Sequence, residues 1–306
     1  MEEVTAKSNG HVQDADRRKW GPTKLDGSQE TAFGSPRDFL DNRYVYVVVS
    51  ARARGLSVGI NMNPDKYCNF RCIYCEVQRG SEVPQVLDVD VMEEELRRTL
   101  AYVKAGRLRE RPWYRNLPED VLQLRHVAIS GDGEPTLSPR FTEAHQAVIH
   151  VRALSDSPFF KVVLITNGTG LDLPNVQQGM KFLTRNDEVW AKLDGGSQAY
   201  IEKVNRPEVP FHRVLENIVN YSRVHPIVIQ SLFPSINGEE PAMEEIEDYA
   251  RRLTDLKRAG AQISLVQIYS ATRPASNPDS GHLPLKVLSR IAQIVRKTTG
   301  LKAEVF

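Results

Sequence analysis

Cysteine is the scarcest informative residue in this 306-residue chain: three are present, all between positions 68 and 75. An odd number so tightly clustered excludes a disulfide framework and points to metal or redox chemistry in a reducing compartment. Excess charge of either sign is also missing. Forty Lys and Arg stand against thirty-nine Asp and Glu, a formal net charge of +1, so no global field draws the chain onto nucleic acid or an acidic membrane. No apolar run approaches the roughly 20 residues that a membrane span requires. The stretch from Met1 to Arg18 is polar and charged, unlike a signal peptide, and the expected location is cytoplasmic.

The chain is 41% apolar, enough to bury the core of one large α/β domain. Residues 1–43 carry Gly21, Pro22, Gly27, Gly34 and Pro36 among scattered charges and show neither helical nor strand periodicity, so they are expected to form a poorly ordered N-terminal extension. From Tyr44 onward short β-rich runs alternate with amphipathic stretches, the pattern of repeated βα units on a parallel sheet. Six strands are expected at 56–62, 125–130, 161–166, 188–193, 227–233 and 262–269. The helices between and after them are expected at 89–104, 139–154, 174–183, 211–223, 243–259 and 284–299. The predicted architecture is a partial (β/α)6 TIM-like barrel over residues 44–306. Functional groups on such a fold gather at the C-terminal ends of the strands.

After the first strand comes Cys68-Asn69-Phe70-Arg71-Cys72-Ile73-Tyr74-Cys75, with spacing C-x3-C-x2-C. Three thiolates on one loop can ligate three irons of a 4Fe-4S cluster and leave the fourth open. An open iron suits a chelating amino acid, and S-adenosylmethionine (SAM) offers its amino nitrogen and carboxylate there. Three cysteines and one histidine also make a closed zinc site. No histidine lies within thirty residues of the loop, His11 and His126 being the nearest. A fourth zinc ligand would have to come from the fold.

The C-x3-C-x2-C spacing, with Tyr74 directly before the last cysteine, resembles the radical SAM superfamily, and the resemblance extends through all six βα units. It implies a cluster on Cys68, Cys72 and Cys75, with Tyr74 against the adenine of SAM. Ser130-Gly131-Asp132-Gly133-Glu134-Pro135 after the second strand is similar to the family's Gly-Gly-Glu motif, with Asp132 inserted, and assigns Gly131, Gly133 and Glu134 to the SAM ammonium. Asn167 after the third strand, and Lys192 and Asp194 at the end of the fourth, stand where the family contacts the SAM ribose and carboxylate. Gln230 and Gln267 on the last two strands match the adenine-contacting edge. Asn61, Asn63, Lys192, Gln230 and Gln267 are the candidates for substrate contact, and Lys192, Gln230 and Asn61 those for catalysis.

Three longer stretches, residues 51–61, residues 192–196 continuing to 204–207, and residues 272–275, resemble the wyosine-synthase-related branch, whose best-known members rebuild a methylated guanine in tRNA from pyruvate. Those members carry a second cluster, and no cysteine is left here to hold one. The resemblance therefore implies a single-cluster relative of undefined substrate, reduced by an external donor such as flavodoxin or ferredoxin. In that reading the 5'-deoxyadenosyl radical abstracts hydrogen from a substrate, either a small molecule or RNA. An RNA substrate would use a basic rim drawn from Arg71, Arg79, Lys203, Arg206, Arg213 and Arg273. A zinc or iron-sulfur binding protein without turnover is the alternative from another class.

Overall fold

The computed structural model describes residues 39–77, 85–155, 159–272, 275 and 277–306. In chain order the main elements are β1 (Val45–Ser50), β2 (Gly55–Asn61), α1 (Val89–Lys104), β3 (Leu124–Ser130), α2 (Phe141–Leu154), β4 (Lys161–Thr166), α3 (Pro174–Met180) and β5 (Glu188–Lys192). They continue with α4 (Gln198–Val204), α5 (Phe211–Ser222), β6 (Ile227–Leu232), β7 (Ser235–Ile236), α6 (Met243–Arg258), β8 (Ile263–Tyr269), β9 (Ser280–Gly281), α7 (Leu285–Thr299) and β10 (Ala303–Val305). One eight-stranded sheet runs β1-β2-β3-β4-β5-β6-β8-β10. All its pairs are parallel except β1 with β2. The sheet curls into a half-barrel of the TIM type, so the expected fold is present with its six βα units in order.

Period-two alternation sorts the strand residues cleanly. Val127 and Ile129 of β3, Val189 and Ala191 of β5, and Ile227 and Ile229 of β6 join the core shared with the outer helices. Their neighbours His126, Ala128 and Ser130, Trp190 and Lys192, and Gln230 and Leu232 line a cavity on the inner face. Both faces are thus withdrawn from solvent, and all seven residues of β2 are buried. Continuous apolar strands follow from that double burial.

Among the described residues five of the main elements exceed the expected set: β1, α4, β10 and the two-residue strands β7 and β9, which pair with each other. β1 adds an antiparallel edge, and its Tyr46 lies directly opposite Gly59. A Cβ at position 59 would come within 2.1 Å of the Tyr46 ring, so the glycine there lets the tyrosine cross the inner face and place its hydroxyl 2.8 Å from Ser130 Oγ. The short helix α4, capped by Ser197, follows β5. The edge strand β10 closes the order against β8. Among the described residues no helix is long and apolar enough to cross a membrane.

The chain enters the sheet through a buried carboxylate on α1. Glu95 Oε1 accepts from the backbone N–H of Arg43 at 2.7 Å, and Oε2 accepts from Tyr44 at 2.9 Å and Val45 at 3.2 Å. Phe39 and Asn42 are buried beside it, so residues 39–43, which the sequence groups with the extension, pack onto the fold. Residues 1–38 of that expected extension lie outside the described residues. Glu95→Ala would leave three N–H groups without their charged acceptor. A loss of about 2–4 kcal/mol in urea unfolding is expected, with Glu95→Gln recovering part of it. Unchanged stability in Glu95→Ala would show that β1 docks without this contact.

Candidate functional site

Four loops meet at the C-terminal mouth of the parallel strands: the cysteine loop after β2, residues 131–134 after β3, Asn167 after β4 and Asp194 after β5. They surround the inner cavity, about 510 Å³ in volume. Of the residues singled out in the sequence, Cys68, Cys72, Cys75, Tyr74, Gly131, Gly133, Glu134, Asn167, Lys192 and Gln230 all line it. Asn61, Asp194 and Gln267 stand behind its wall. Asn61 exchanges hydrogen bonds with Asp132, donating from Nδ2 to Oδ2 and accepting from the Asp132 N–H, both at 2.9 Å. Asn63 donates to the Glu134 carbonyl at 3.1 Å. Gln267 accepts from Gln230 at 2.8 Å.

The cysteine loop is held by backbone contacts on two sides. The Tyr67 carbonyl accepts from Glu134 N at 2.9 Å, while Arg71 N and Ile73 N donate to the carbonyls of Asn205 and Val204, each at 2.9 Å. The approach to residue 133 is so close that a Cβ there would fall 1.8 Å from the Tyr67 carbonyl oxygen. Gly133 is therefore required for the seating of the loop. That requirement holds whatever else the glycine motif does.

None of the three cysteines forms a disulfide, and all are half-buried. Phe70 N lies 3.4 Å from the Cys68 sulfur, and Asn205 Nδ2 lies 3.3 Å from that of Cys72. Burial pushes the Cys72 thiol up to about 11, and the nearby Asp194 charge adds to the effect against the Asn205 hydrogen bond. Three thiols facing one cavity, with N–H donors at sulfur, have the donor chemistry of a cluster site. As placed, the side chains do not converge: among the described residues no group of three His, Cys, Asp or Glu meets around a single point. Metal binding would require them to turn inward and lose their protons.

Glu134 has a structural occupation. Its buried carboxylate accepts from Thr136 Oγ1 and Thr166 Oγ1 at 2.5 Å each, from Thr136 N at 3.1 Å and from Asn167 N at 2.7 Å. Burial raises its pKa and these four donors oppose the rise. The side chain ties the β3 loop to the end of β4.

Asp194 is the hub of the opposite wall. Its Oδ1 lies 3.0 Å from Lys192 Nζ and accepts from Leu232 N at 2.8 Å. Its Oδ2 accepts from Asn205 Nδ2 at 2.7 Å and from the Tyr74 hydroxyl. The expected trio Tyr74, Lys192 and Asp194 is thus brought together, with the Lys192 ammonium 5.1 Å from the centre of the Tyr74 ring. Burial works against the Lys192 charge, but Asp194 and the Tyr269 hydroxyl, 2.9 Å away, outweigh it and raise its pKa.

Sequence reasoning passes over His126, Trp190, Asn205 and Arg52. Period two places His126 and Trp190 inward, and their rings meet edge to face at 5.2 Å. Asn205 carries no signal by itself, because its partners lie far away in sequence. Of the expected basic rim, Arg71 pairs with Glu208 and Arg213 with Asp172, while Arg79 and Arg273 lie outside the described residues.

No protein-family model matches the chain. A UPF0026 protein of Helicobacter pylori strain J99 is 26% identical over 240 residues, covering 76% of this chain and 67% of that protein. A structure of TYW1 with a lysine-pyruvate adduct bound superposes with a TM-score of 0.56 at 16% identity, over 85% of this chain and 86% of that one. Streptococcus suis SuiB bound to its precursor peptide SuiA gives 0.55 at 14% identity, over 83% of this chain and 49% of that one. The chain shares the half-barrel fold of these TYW1 and SuiB structures. That fold agrees with the resemblance read from the cysteine loop.

Two measurements test the electrostatics of this half-barrel. Asp194→Asn leaves a buried ammonium without its counter-charge and is expected to cost about 3–5 kcal/mol in urea unfolding, part of it restored by Lys192→Met in the same chain. Equal losses in the single and double variants would refute the pairing. The second concerns His126, whose pKa falls from 6.5 to about 3 through burial and then through the charges of Lys161 and Arg52. Below pH 6.5 the unfolded chain takes up a proton that the folded chain refuses, so stability falls as pH drops from 6.5 toward 3. At pH 5 the difference is about 2 kcal/mol. His126→Leu should lose that much less than wild type between pH 7 and pH 5, and parallel losses would place the histidine in water.

Proposed function

We propose that the protein is a radical SAM enzyme holding one 4Fe-4S cluster on Cys68, Cys72 and Cys75. The observation that carries this reading is that all three cysteines of the C-x3-C-x2-C loop open into one cavity at the C-terminal mouth of a half-barrel. Bound there, the cluster and SAM would supply reductive cleavage of the sulfonium and a 5'-deoxyadenosyl radical. Every further task falls to the chain.

Gly131, Gly133 and Glu134 form the wall assigned to the SAM ammonium, and the Glu134 carboxylate keeps that wall rigid through Thr136, Thr166 and Asn167. Lys192 brings a positive charge fixed by Asp194, suited to a carboxylate. Tyr74 offers a ring face, its hydroxyl anchored on Asp194. The inner floor of Trp190, His126 and Gln230 bounds the space left for a substrate carbon and excludes water from it. An external flavodoxin or ferredoxin would deliver the electron. The reading needs one cluster only, since the cysteine loop uses the whole supply of thiols.

Anaerobic reconstitution is expected to give about four irons and four sulfides per chain. Incubation with dithionite and SAM should yield methionine and 5'-deoxyadenosine. Each of Cys68→Ala, Cys72→Ala and Cys75→Ala should lose most of the iron and all of the cleavage. Stoichiometric zinc in place of iron, or full iron in any single variant, would overturn the assignment.

A further inference from the structure

The cavity holds a cation that neither the fold nor the proposed cofactors use. Arg52 sits in the turn between β1 and β2, and that turn is fixed on several sides. Arg54 N donates to the Ala51 carbonyl at 3.0 Å, Ala53 N to Ser50 Oγ at 3.3 Å, and Arg125 Nε to the Arg54 carbonyl at 3.0 Å. Arg54 itself reaches from the β1 edge of the sheet to Glu304 on the opposite edge strand β10, at 2.6 Å. From this anchored turn the Arg52 guanidinium lies 4.2 Å from the centre of the Tyr269 ring and lines the cavity. Its Nε is buried with no hydrogen-bond partner.

The charges around it are otherwise matched. Lys192 is paired with Asp194 at 3.0 Å, and Lys161 with Glu188 at 2.5 Å. The Glu134 oxygens are filled by Thr136, Thr166 and Asn167, and Glu76 is exposed at the rim. Among the described residues lining the cavity, Arg52 alone is a cation without a carboxylate partner. Its charge is nevertheless felt inside, where it helps to depress the pKa of His126 behind burial and Lys161. A buried guanidinium donor left unmatched is costly, and stacking on Tyr269 satisfies the ring face rather than the N–H edge.

We propose that Arg52 anchors a single carboxylate group of the substrate, so that the molecule processed in this cavity is a small organic acid. The proposal rests on the reading of the cavity as a radical SAM reaction chamber for the word substrate, and on Arg52 alone for the chemistry. A guanidinium edge offers two parallel N–H groups, which match the two oxygens of a carboxylate. One positive charge without a carboxylate partner suits a monoanion better than a phosphate dianion. A polyanion such as RNA would need several free cations inside the cavity, and among the described residues that line it Arg52 alone lacks a carboxylate partner.

The probes are acetate, inorganic phosphate and SAM. Binding of each is followed by NMR line broadening or calorimetry on the full chain, before and after anaerobic cluster reconstitution, in wild type, Arg52→Lys and Arg52→Gln. Acetate is expected to bind wild type more tightly than phosphate does. Its affinity should fall roughly tenfold in Arg52→Gln and by less in Arg52→Lys, with SAM affinity unchanged in both. No measurable acetate binding by wild type, equal acetate affinity in Arg52→Gln, or a preference for phosphate would overturn the proposal. A parallel loss of SAM affinity would assign Arg52 to the SAM carboxylate and overturn it equally. Failure to take up iron would count against the radical SAM reading alone, because the acetate measurement is also made on the chain without a cluster.

Discussion

One buried carboxylate organises the mouth of this half-barrel. A fully desolvated charge persists only where every lone pair finds a donor and a counter-charge lies at hand. Asp194 meets that demand with donors from four places: Lys192 at the end of its own strand, Leu232 on β6, Asn205 after α4 and Tyr74 on the cysteine loop. Each partner is thereby fixed relative to the others. The position of the Cys72 thiol follows, since Asn205 bonds Cys72 and Asp194 through the same amide nitrogen. Electrostatic necessity at one residue thus becomes geometric order across a wall of the cavity.

The second wall depends on the same logic with a different donor set. Glu134 gathers hydroxyls and amides rather than an ammonium, and so joins β3 to β4 without placing a full positive charge in the cavity. Opposite kinds of partner leave the two walls chemically distinct. The Asp194 side presents a cation, and the Glu134 side presents backbone and amide groups.

The six parallel strands and the helices that follow them are legible in the sequence because each unit repeats the same period change from two to 3.6. α1 and β4 match the expected ends, 89–104 and 161–166. β1 lacks that signature, because Val45–Ser50 is followed by a tight turn and not by a helix. α4 has only seven residues behind Gly195 and Gly196, and β10 only three. At the site, residue types just after strand ends identify the cavity lining well, since the barrel brings those ends together. What they conceal is partnership. That Glu134 binds Thr166, or Asp194 binds Leu232, depends on strand order and register, and no local pattern records either. Arg52 is hidden for the same reason: a turn arginine looks solvated until Tyr269 is seen beneath it.

The cysteine loop is held in place by the polypeptide alone. Its backbone is bonded to residues 134, 204 and 205, Asn69 accepts from Glu208 N at 2.9 Å, and Gly133 gives it a seat. The conformational entropy of ordering this loop is therefore spent when the chain folds, not when a cofactor arrives. Loading and folding become separable events, unlike those of small metal domains that collapse without their ion. On the proposed function, a cluster carried on this loop would leave and return without the chain passing through an unfolded state exposed to proteases, so damage to the inorganic part would not shorten the life of the protein.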